Sequence, residues 1–416
     1  MIDICSIENK DNKLISIEQA LTNISLSTSS IEGNERVTLK KAFGRVLSYP
    51  VVSAMNIPPE RNSAMDGYAF SSKDIKPQQG FNLTLVGTSW AGKPYPYKLQ
   101  NNECIRIFTG AVVPNEADSV IMQEHVEKQE HQIIFPESTA AKQNIRQAGS
   151  DIEKNSQLLP SAKKLSAIDI GLLASAGIYD IDVKRKLNIS FLSTGDELCP
   201  IGQSLEAGQI YDSNRYTLDG LLNDNNYNIV DLGVIADDKQ LLKQTLLFAA
   251  ESSDIIISTG GASVGDADYI KEILDECGDV GFWKIAIKPG KPLAFGKIKN
   301  CCFFGLPGNP VSVIATFQKI VLPALQKISG ITEKKALSIR ATCSSHLKKQ
   351  SGRQEYQRGI LSQDESGNFH VKSAGKQGSN IMSAASCANC YIVLAVDCEG
   401  VLPGQQVLVE PFSLFI

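Results

Sequence analysis

Four acidic residues follow apolar runs in the middle of the chain: Glu197, Asp237, Asp266 and Asp268. Carboxylate oxygens are hard ligands that suit Mg²⁺, an ion that usually keeps several waters and also binds substrate phosphate. Taken singly, each of the three aspartates is equally well explained as a helix N-cap or as a first-turn residue. All four acids nevertheless follow predicted strands of one region, so they are expected to lie close together, and this favours a metal site.

Three lysines supply positive charge near these acids: Lys284, Lys288 and Lys291. Carboxylates together with lysines indicate a metal-assisted site for a phosphorylated or oxyanionic substrate. Backbone N–H groups are available in the turns at 194–195 and 259–261, but neither turn matches the common phosphate fingerprints G-x-x-x-x-G-K-[ST] and G-x-G-x-x-G. The second turn alone therefore leaves an anion site and an ordinary tight connection equally open.

Alternating strand and helix patterns between 187 and 330 would position these groups. Strands are expected at 187–193, 228–232 and 254–258, and helices at 216–222, 240–250 and 269–277. Such alternation predicts a parallel sheet with right-handed crossovers. The carboxyl ends of parallel strands share one edge, where ligands usually bind. We therefore expect both turns and the acids to meet there, together with the loop 306–310.

A hairpin and a long helix complete this region. The hairpin is expected at 292–298 and 302–304, and the helix at 311–326. Asn309 is a good N-cap and Pro310 a good first helical residue. Pro323 is expected to bend the helix or end it early, because proline removes a backbone donor.

The flanking segments carry different patterns. Helices are expected after the capping box of Ser16 and Gln19, after Thr38 as far as Val46, and around 167–174. Short alternating segments between 81 and 135 predict a β-rich insertion, and β patterns return after Gly330.

The composition of the 416-residue chain argues against several classes of protein. Lys and Arg total 41 against 45 Asp and Glu, a net charge of −4 that does not indicate a partner among nucleic acids or acidic membranes. No apolar run approaches the roughly 20 residues of a membrane span, and no signal-peptide pattern is recognised. Ten scattered cysteines are typical of reduced thiols in a cytoplasmic protein. Cys387 and Cys390 form a lone C-x-x-C, which is a weak metal motif.

Six motifs occur in order along essentially the whole chain: Asn-Ser-Ala-Met-Asp-Gly-Tyr-Ala at 62–69, Thr-Gly-Ala at 109–111, Ser-Thr-Gly-Asp-Glu-Leu at 193–198, Ser-Thr-Gly-Gly-Ala-Ser-Val-Gly-Asp-Ala-Asp-Tyr at 258–269, Lys-Pro-Gly-Lys-Pro at 288–292 and Gly-Leu-Pro-Gly-Asn-Pro-Val-Ser at 305–312. In these motifs the chain resembles the molybdopterin molybdotransferases, which insert molybdenum in molybdenum-cofactor biosynthesis and are related to the C-terminal domain of gephyrin.

The resemblance implies four domains in a multidomain α/β plus β fold. We expect an N-terminal helical linker domain (1–50 and 145–180), a β-rich inserted domain (51–144), a central three-layer α/β domain with a mostly parallel sheet (181–330) and a small C-terminal β-barrel domain (331–416). It also implies an elongated homodimer whose active site lies between the α/β domain of one subunit and the inserted domain of the other.

The resemblance further implies a reaction in which Mg²⁺ assists cleavage of the phosphoanhydride of adenylylated molybdopterin, molybdate supplies molybdenum and AMP departs. A molybdopterin adenylyltransferase is the expected upstream partner. An adenylyltransferase, which typically has the α/β module alone, and a gephyrin-like scaffold are the competing interpretations.

Most of the expected site residues follow from the same resemblance, by position. Thr194, Gly195, Gly260, Gly261, Ser263 and Lys291 are added from the turn motifs and the lysine segment described above. The catalytic set is Asp66, Thr109, Asp151, Glu197, Asp237 and Asp268, of which Glu197, Asp237 and Asp268 are the expected metal ligands. The substrate-binding set is Thr194, Gly195, Gly260, Gly261, Ser263, Lys284, Lys288, Lys291, Pro307 and Pro310. The lysines and turn N–H groups would hold phosphate or molybdate, and the two prolines would shape the pocket.

Overall fold

The computed structural model describes residues 14–76, 78–260, 269–332 and 337–412. It begins with a helix, α1 (Ile17–Ser27), which opens with the predicted capping box: Ser16 Oγ accepts from the Gln19 backbone, and the Gln19 side chain accepts from the Ser16 backbone. Two strands follow, β1 (Asn34–Thr38) and β2 (Val51–Val52).

The β-rich inserted region follows β2. Its strands are β3 (Asn62–Ser63), β4 (Gly67–Phe70), β5 (Phe81–Ser89), β6 (Glu103–Ile107), β7 (Ser119–Met122), β8 (Glu127–Gln129), β9 (Gln132–Phe135) and β10 (Ile145–Arg146). The main sheet has the order β7-β4-β6-β5-β9-β8. Apolar side chains fill both faces of this sheet, with Phe70, Phe81 and Phe135 on one and Ile105, Ile107 and Val120 on the other.

The chain then returns to the N-terminal strands. The returning elements are β11 (Gln157–Leu159), α2 (Ala167–Ser175) and β12 (Asp180–Lys184); β11 pairs with β2, and β12 pairs with β1. The helix predicted from Thr38 to Val46 is therefore wrong. Residues up to Thr38 form β1, only a short 3₁₀ turn (Leu39–Lys41) follows, and Val46 makes a bridge to Lys164. Long-range strand pairing overrides the local helical periodicity here.

The central region contains β13 (Leu187–Thr194), β14 (Leu198–Cys199), β15 (Ile210–Tyr211), α3 (Ser213–Leu222), β16 (Tyr227–Ile235), α4 (Lys239–Ser252), β17 (Ile255–Thr259), α5 (Tyr269–Cys277), β18 (Gly278–Lys284), β19 (Ile287–Lys288), β20 (Pro292–Ile298) and β21 (Cys301–Leu306). The strand order is β16-β13-β17-β21-β20-β18, with parallel pairing from β16 to β21 and antiparallel pairing beyond it. The predicted mostly parallel sheet is confirmed.

Helices cover both faces of this sheet. Along β17, Ile255 and Ile257 pack into the cluster that contains α1 and α3, whereas Ile256 packs into the cluster that contains α4 and α5. A strand buried on both faces reads as a continuous apolar run, which is what the sequence shows. The three-layer arrangement is confirmed, and α1 belongs to one of its outer layers.

The long helix after β21 is continuous but changes its winding. It comprises α6 (Pro310–Thr316), a π-helical turn (Phe317–Val321) and α7 (Leu322–Ile328). Pro323 therefore does not end the helix early. The π turn precedes it, where a missing proline donor leaves a backbone carbonyl without its usual partner. Pro310–Ile328 is long and apolar enough to cross a membrane, but 61% of its most apolar window is buried within the protein, as in a core helix.

The C-terminal region forms a small barrel. Its elements are β22 (Ile339–Cys343), β23 (Leu347–Lys348), β24 (Gln354–Gln363), β25 (Phe369–Ser373), α8 (Met382–Cys387), β26 (Cys390–Leu394), β27 (Gly400–Val401) and β28 (Gln406–Pro411). The pairings β24-β25-β22-β28-β26 close through a β26–β24 pairing. The predicted multidomain α/β plus β class, with a C-terminal barrel, is thereby confirmed.

Candidate functional site

Two strand-end turns and a third loop meet at the carboxyl edge of the central sheet. Ser193 and Thr259 are partners in register, and their hydroxyl oxygens are 2.9 Å apart. Gly260 has a φ of +87°, and a Cβ atom there would lie 2.6 Å from the carbonyl oxygen of Thr194. A Cβ atom on Gly308 would lie 3.9 Å from Cα of Gly260. The turns that were expected to share an edge therefore do so.

A cavity of about 1080 Å³ opens at this edge, between the central sheet and the C-terminal barrel. It brings together many of the predicted site residues: Thr194, Gly195, Glu197, Asp237, Gly260, Lys288, Lys291 and Pro307. Lys284 ends β18 and Pro310 begins α6, and both lie outside the set of lining residues. Gly261, Ser263, Asp266 and Asp268 fall outside the described residues.

Acidic side chains form one part of the cavity wall. The backbone N–H of Asp237 donates to Asp196 Oδ1 at 3.1 Å, which joins the ends of β13 and β16. Partial burial, with the nearby charges of Asp196 and Glu197, raises the pKa of Asp237. Gly195 has a φ of +139°, which disfavours other residues, and a Cβ atom there would displace the Glu197 carboxylate, whose nearest oxygen would lie 2.4 Å away. The cluster thus concentrates negative charge that a cation would neutralise.

The loop of Lys288 to Lys291 forms a second part of the wall and is held at both ends. The N–H of Ile285 donates to the carbonyl of Lys291 at 2.7 Å, and β19 pairs in parallel with β24 of the barrel. Lys288 Nζ is 3.1 Å from Glu355 Oε1, whose side chain is 5% exposed. The Lys288 ammonium group is therefore held in place by the buried carboxylate of Glu355 in the C-terminal barrel.

The barrel contributes residues that sequence reasoning did not identify. The cavity is also lined by His346, Lys348, Arg353, Glu355, Gln357, Ser373, Gln377 and Ser379. Gln357 donates to Glu355 Oε1 at 3.1 Å, and the N–H of Val311 donates to the carbonyl of Ser379 at 3.0 Å. The signal available in the sequence was the excess of polar residues in the strand pattern 353–358, since Glu355 and Gln357 are both buried.

Arg358 supports the barrel part of the wall without lining this cavity. Its side chain is 1% exposed and donates to the carbonyls of Lys376 and Gly378, both at 3.0 Å. Gln377 and the Arg358 backbone exchange a further pair of hydrogen bonds, at 2.8 and 3.0 Å. The loop that carries Gln377 and Ser379 into the cavity is therefore anchored from within the barrel.

Asp66, Thr109 and Asp151 lie on the N-terminal half of the chain, outside the set of cavity-lining residues. All three are exposed, and Asp151 donates its backbone N–H to Ile57. Asp66 Oδ1 accepts from the Thr109 backbone at 2.8 Å and from its hydroxyl at 2.7 Å. Within one chain, the structure thus pairs Asp66 with Thr109 but does not bring either into the cavity.

The Asp66–Thr109 pair supports a prediction about ionisation. The backbone hydrogen bond from Thr109, followed by the hydroxyl hydrogen bond, lowers the pKa of Asp66. Thr109→Val removes only the hydroxyl, so the pKa of Asp66 should rise part of the way to its ordinary value. A carboxyl ¹³C NMR titration measures this directly. Thr245→Val, which removes an exposed helix hydroxyl on α4, is the matched control. An unchanged Asp66 titration in the Thr109 variant would show that the hydroxyl bond is not formed in solution.

The described residues fit a divalent cation only in part. Among them, no group of three His, Cys, Asp or Glu side chains is arranged to hold a metal ion. Glu197 and Asp237 nevertheless line the same cavity. Burial, and then the charges of Asp196 and Glu197, raise the pKa of Asp237, and a bound cation would offset both effects. Their hard oxygen donors suit Mg²⁺, with waters and substrate oxygens completing its shell.

Three known protein families match consecutive segments that together cover most of the chain. Residues 15–177 match the MoeA N-terminal region (domain I and II), residues 190–327 match a probable molybdopterin binding domain, and residues 340–412 match the MoeA C-terminal region (domain IV).

Several named relatives match most of this chain. The chain is 40% identical to a molybdopterin molybdenumtransferase from Haemophilus influenzae, over 96% of this chain and 99% of the relative. A molybdopterin molybdenumtransferase from Nostoc is 32% identical over 93% and 91%. Gephyrin from Dictyostelium discoideum is 35% identical over 86% of this chain, but the match spans 57% of gephyrin.

A solved structure agrees with the fold. The molybdopterin biosynthesis MoeA protein from Pyrococcus horikoshii superposes with a TM-score of 0.83 at 29% identity, covering 96% of this chain and 100% of that one. Sequence, domain order and tertiary structure therefore agree, and the chain belongs to the molybdopterin molybdenumtransferase (MoeA) family.

Proposed function

We propose that this protein inserts molybdenum from molybdate into adenylylated molybdopterin and releases AMP, forming the molybdenum cofactor. One observation carries the proposal: the cavity places carboxylates at the sheet edge within the same space as basic side chains from two domains. The substrates are a phosphoanhydride and an oxyanion, and both need positive charge and hydrogen-bond donors. The relatives named molybdopterin molybdenumtransferase support the same activity.

We assign the two sides of the cavity different tasks. Glu197 and Asp237, with Asp268, would hold Mg²⁺, and the ion when bound would supply positive charge to the phosphoanhydride. Lys288 and Lys291 line the same cavity and would bind phosphate or molybdate oxygens. The turn N–H groups of Gly195 and Gly260, which also line the cavity, would orient the substrate.

The basic side of the cavity extends into the barrel. His346, Lys348 and Arg353 line the same space as Lys288 and Lys291. An arginine guanidinium presents paired N–H donors that match the oxygens of phosphate or a similar oxyanion. We therefore include Arg353 among the residues that would hold the oxyanion.

A homodimer would complete the site. Asp66, Thr109 and Asp151 are exposed and do not line the cavity of their own chain, so they would act on the cavity of a second copy. Large apolar side chains are exposed on the central region, including Ile201, Ile210, Tyr211, Tyr216 and Val230. Exposed apolar side chains mark an association site when they form a patch. These observations support a dimer in which the inserted region of one subunit meets the α/β region of the other.

Cytoplasmic location and an upstream adenylyltransferase are part of the same proposal. Within the described residues all nine cysteines are free, as expected in a reducing compartment. Cys390 of the lone C-x-x-C is buried in the barrel, which raises its thiol pKa to about 12. That thiol is therefore a packing residue.

The decisive experiment is a reconstituted reaction. Purified protein is incubated with adenylylated molybdopterin, Mg²⁺ and molybdate, and AMP release is measured together with activation of an apo-molybdoenzyme. We expect both signals to depend on molybdate. Absence of both would contradict the proposal. Formation of adenylylated molybdopterin from ATP and molybdopterin would favour an adenylyltransferase, and peptide binding without either reaction would favour a scaffold.

Asp237→Asn should separate stability from function. The folded-state pKa of Asp237 lies above its ordinary value, so ionisation of this carboxyl group lowers stability. The cost grows from the ordinary pKa up to the raised pKa, is complete above it and is absent below both. The variant should therefore melt at a higher temperature than the wild type at neutral pH, with a difference that shrinks on acidification.

The same variant should also lose most of its response to Mg²⁺, measured as the increase in melting temperature on adding the ion. Asp219→Asn, on the exposed side of α3, is the control and should leave both properties unchanged. A Mg²⁺ response in Asp237→Asn equal to that of the wild type would exclude Asp237 as a ligand.

A further inference from the structure

An exposed aromatic stack lies beside the Asp66–Thr109 pair. The ring of Trp90 stacks on Phe108 with centroids 4.2 Å apart and planes inclined by 11°. Phe108 directly precedes Thr109, whose hydroxyl and N–H both bind Asp66. Trp90 is nevertheless 52% exposed. A large aromatic face is thus held next to two residues of the expected catalytic set.

The stack is braced by its surroundings. Trp90 and Lys93 exchange two backbone hydrogen bonds, at 3.0 and 2.9 Å, which close a tight turn around Gly92 at a φ of +78°. The Arg106 guanidinium lies 4.7 Å from the Phe108 ring centroid and donates to the carbonyl of Gly67 at 2.9 Å. The indole is therefore presented on a fixed backbone, so a ring that binds against it loses little of the stacking energy to ordering of the protein.

The chemistry of this surface selects a flat, aromatic ligand. Indole rings stack on planar heterocycles in an offset arrangement, and the contact tolerates different ring systems because each has a π face. Phe108 provides a second ring beneath the Trp90 indole, and the Arg106 guanidinium adds positive charge beside Phe108. No aliphatic or purely ionic ligand would use a stacked pair of this kind.

We propose that Trp90 forms a stacking subsite for a planar heteroaromatic ring of the substrate. The inference rests on the proposed function, in which the inserted region acts on the cavity of the other subunit. The substrate carries two such rings, the pterin and the adenine, and both present the same π face to the indole. Trp90 would position the ring so that the phosphoanhydride reaches Asp66 and Thr109.

Tryptophan fluorescence tests this directly. Trp90 and Trp283 are the two tryptophans of the sequence, and Trp283 is only 6% exposed. The difference between wild type and Trp90→Phe therefore isolates the emission of Trp90. We expect adenylylated molybdopterin to quench that emission in a saturable manner. Separate titrations with AMP and with molybdopterin identify which ring stacks.

Kinetics supply the second readout. Trp90→Ala should raise KM for adenylylated molybdopterin by about 5- to 150-fold, the range for loss of one stacked base, with a smaller effect on kcat. Trp90→Phe retains an aromatic face and should recover most of the loss. Tyr179→Ala removes a side chain that is 76% exposed elsewhere on the N-terminal region, and it should leave KM unchanged.

Two results would overturn the inference. One is an active enzyme in which no substrate ring quenches the Trp90 emission and in which Trp90→Ala leaves KM unchanged. The other is a Trp90 emission that changes when the protein is diluted but not when adenylylated molybdopterin, AMP or molybdopterin is added. That result would mean that the stack is a contact between subunits. The binding titration needs no turnover and tests stacking alone. The proposed function is tested independently, because its failure would appear as the absence of AMP release by the wild type.

Discussion

Gly260→Ala should cost about 2–4 kcal/mol of unfolding free energy and reduce turnover about 100-fold. The φ of +87° disfavours any side chain, and the added Cβ atom would lie 2.6 Å from the backbone carbonyl of Thr194. A backbone atom of a buried parallel strand cannot rotate away as a side chain can. The strain must therefore move the ends of β13 and β17, which both lie at the cavity. Chemical denaturation and the AMP-release assay measure the two effects.

Gly177 provides a matched control for this substitution. It also has a positive φ, +72°, but a Cβ atom there would meet nothing within 4 Å. Gly177→Ala should therefore show only the conformational cost, about 1–2 kcal/mol, with unchanged turnover. Equal effects of the two substitutions on turnover would mean that the close approach of β13 and β17 is unimportant for the site.

Lys288→Met should lower activity by about 100-fold or more, because it removes a cation from the wall that would bind an oxyanion. It should also lower stability by about 1–3 kcal/mol, since the Glu355 carboxylate is left buried without its partner. The estimate is below that for a fully buried ion pair because the Lys288 side chain is 44% exposed and Glu355 keeps a hydrogen bond from Gln357.

A double substitution distinguishes these two consequences of losing Lys288. Lys288→Met with Glu355→Gln removes both charges, so stability should return towards the wild-type value while activity stays low. Glu355→Gln alone keeps the cation and should retain more activity than Lys288→Met. If the double variant recovers activity together with stability, the role of Lys288 is structural and its assignment to substrate binding is wrong.

The central sheet could be predicted from the sequence because its signals are local. Continuous apolar runs flanked by polar turns, such as 255–259, report burial on both faces, and the adjoining helices show clear apolar stripes. The bounds of α5, Tyr269–Cys277, coincide with the predicted ones. The meeting of the Thr194 and Gly260 turns followed from parallel topology alone.

Other features depend on contacts between distant segments and were missed for that reason. Residues 39–46 have a helical spacing of apolar side chains, yet contacts with distant segments hold them. The N–H of Leu39 donates to the carbonyl of Tyr179, and Val46 forms a bridge to Lys164. The barrel residues of the cavity, Arg353 and Glu355 among them, have no motif of their own. The parallel pairing of β19 with β24 brings them to the lysines.

That pairing also limits how the molecule can be divided. A chain cut at about residue 330 would keep β19 but lose β24, the strand that satisfies its backbone groups. The exposed edge and the uncovered apolar side chains beside it would then be free to pair with other chains, which is a common start of aggregation. A soluble α/β fragment for crystallisation or binding work should therefore carry the barrel with it, or replace the 285–291 segment with a polar turn.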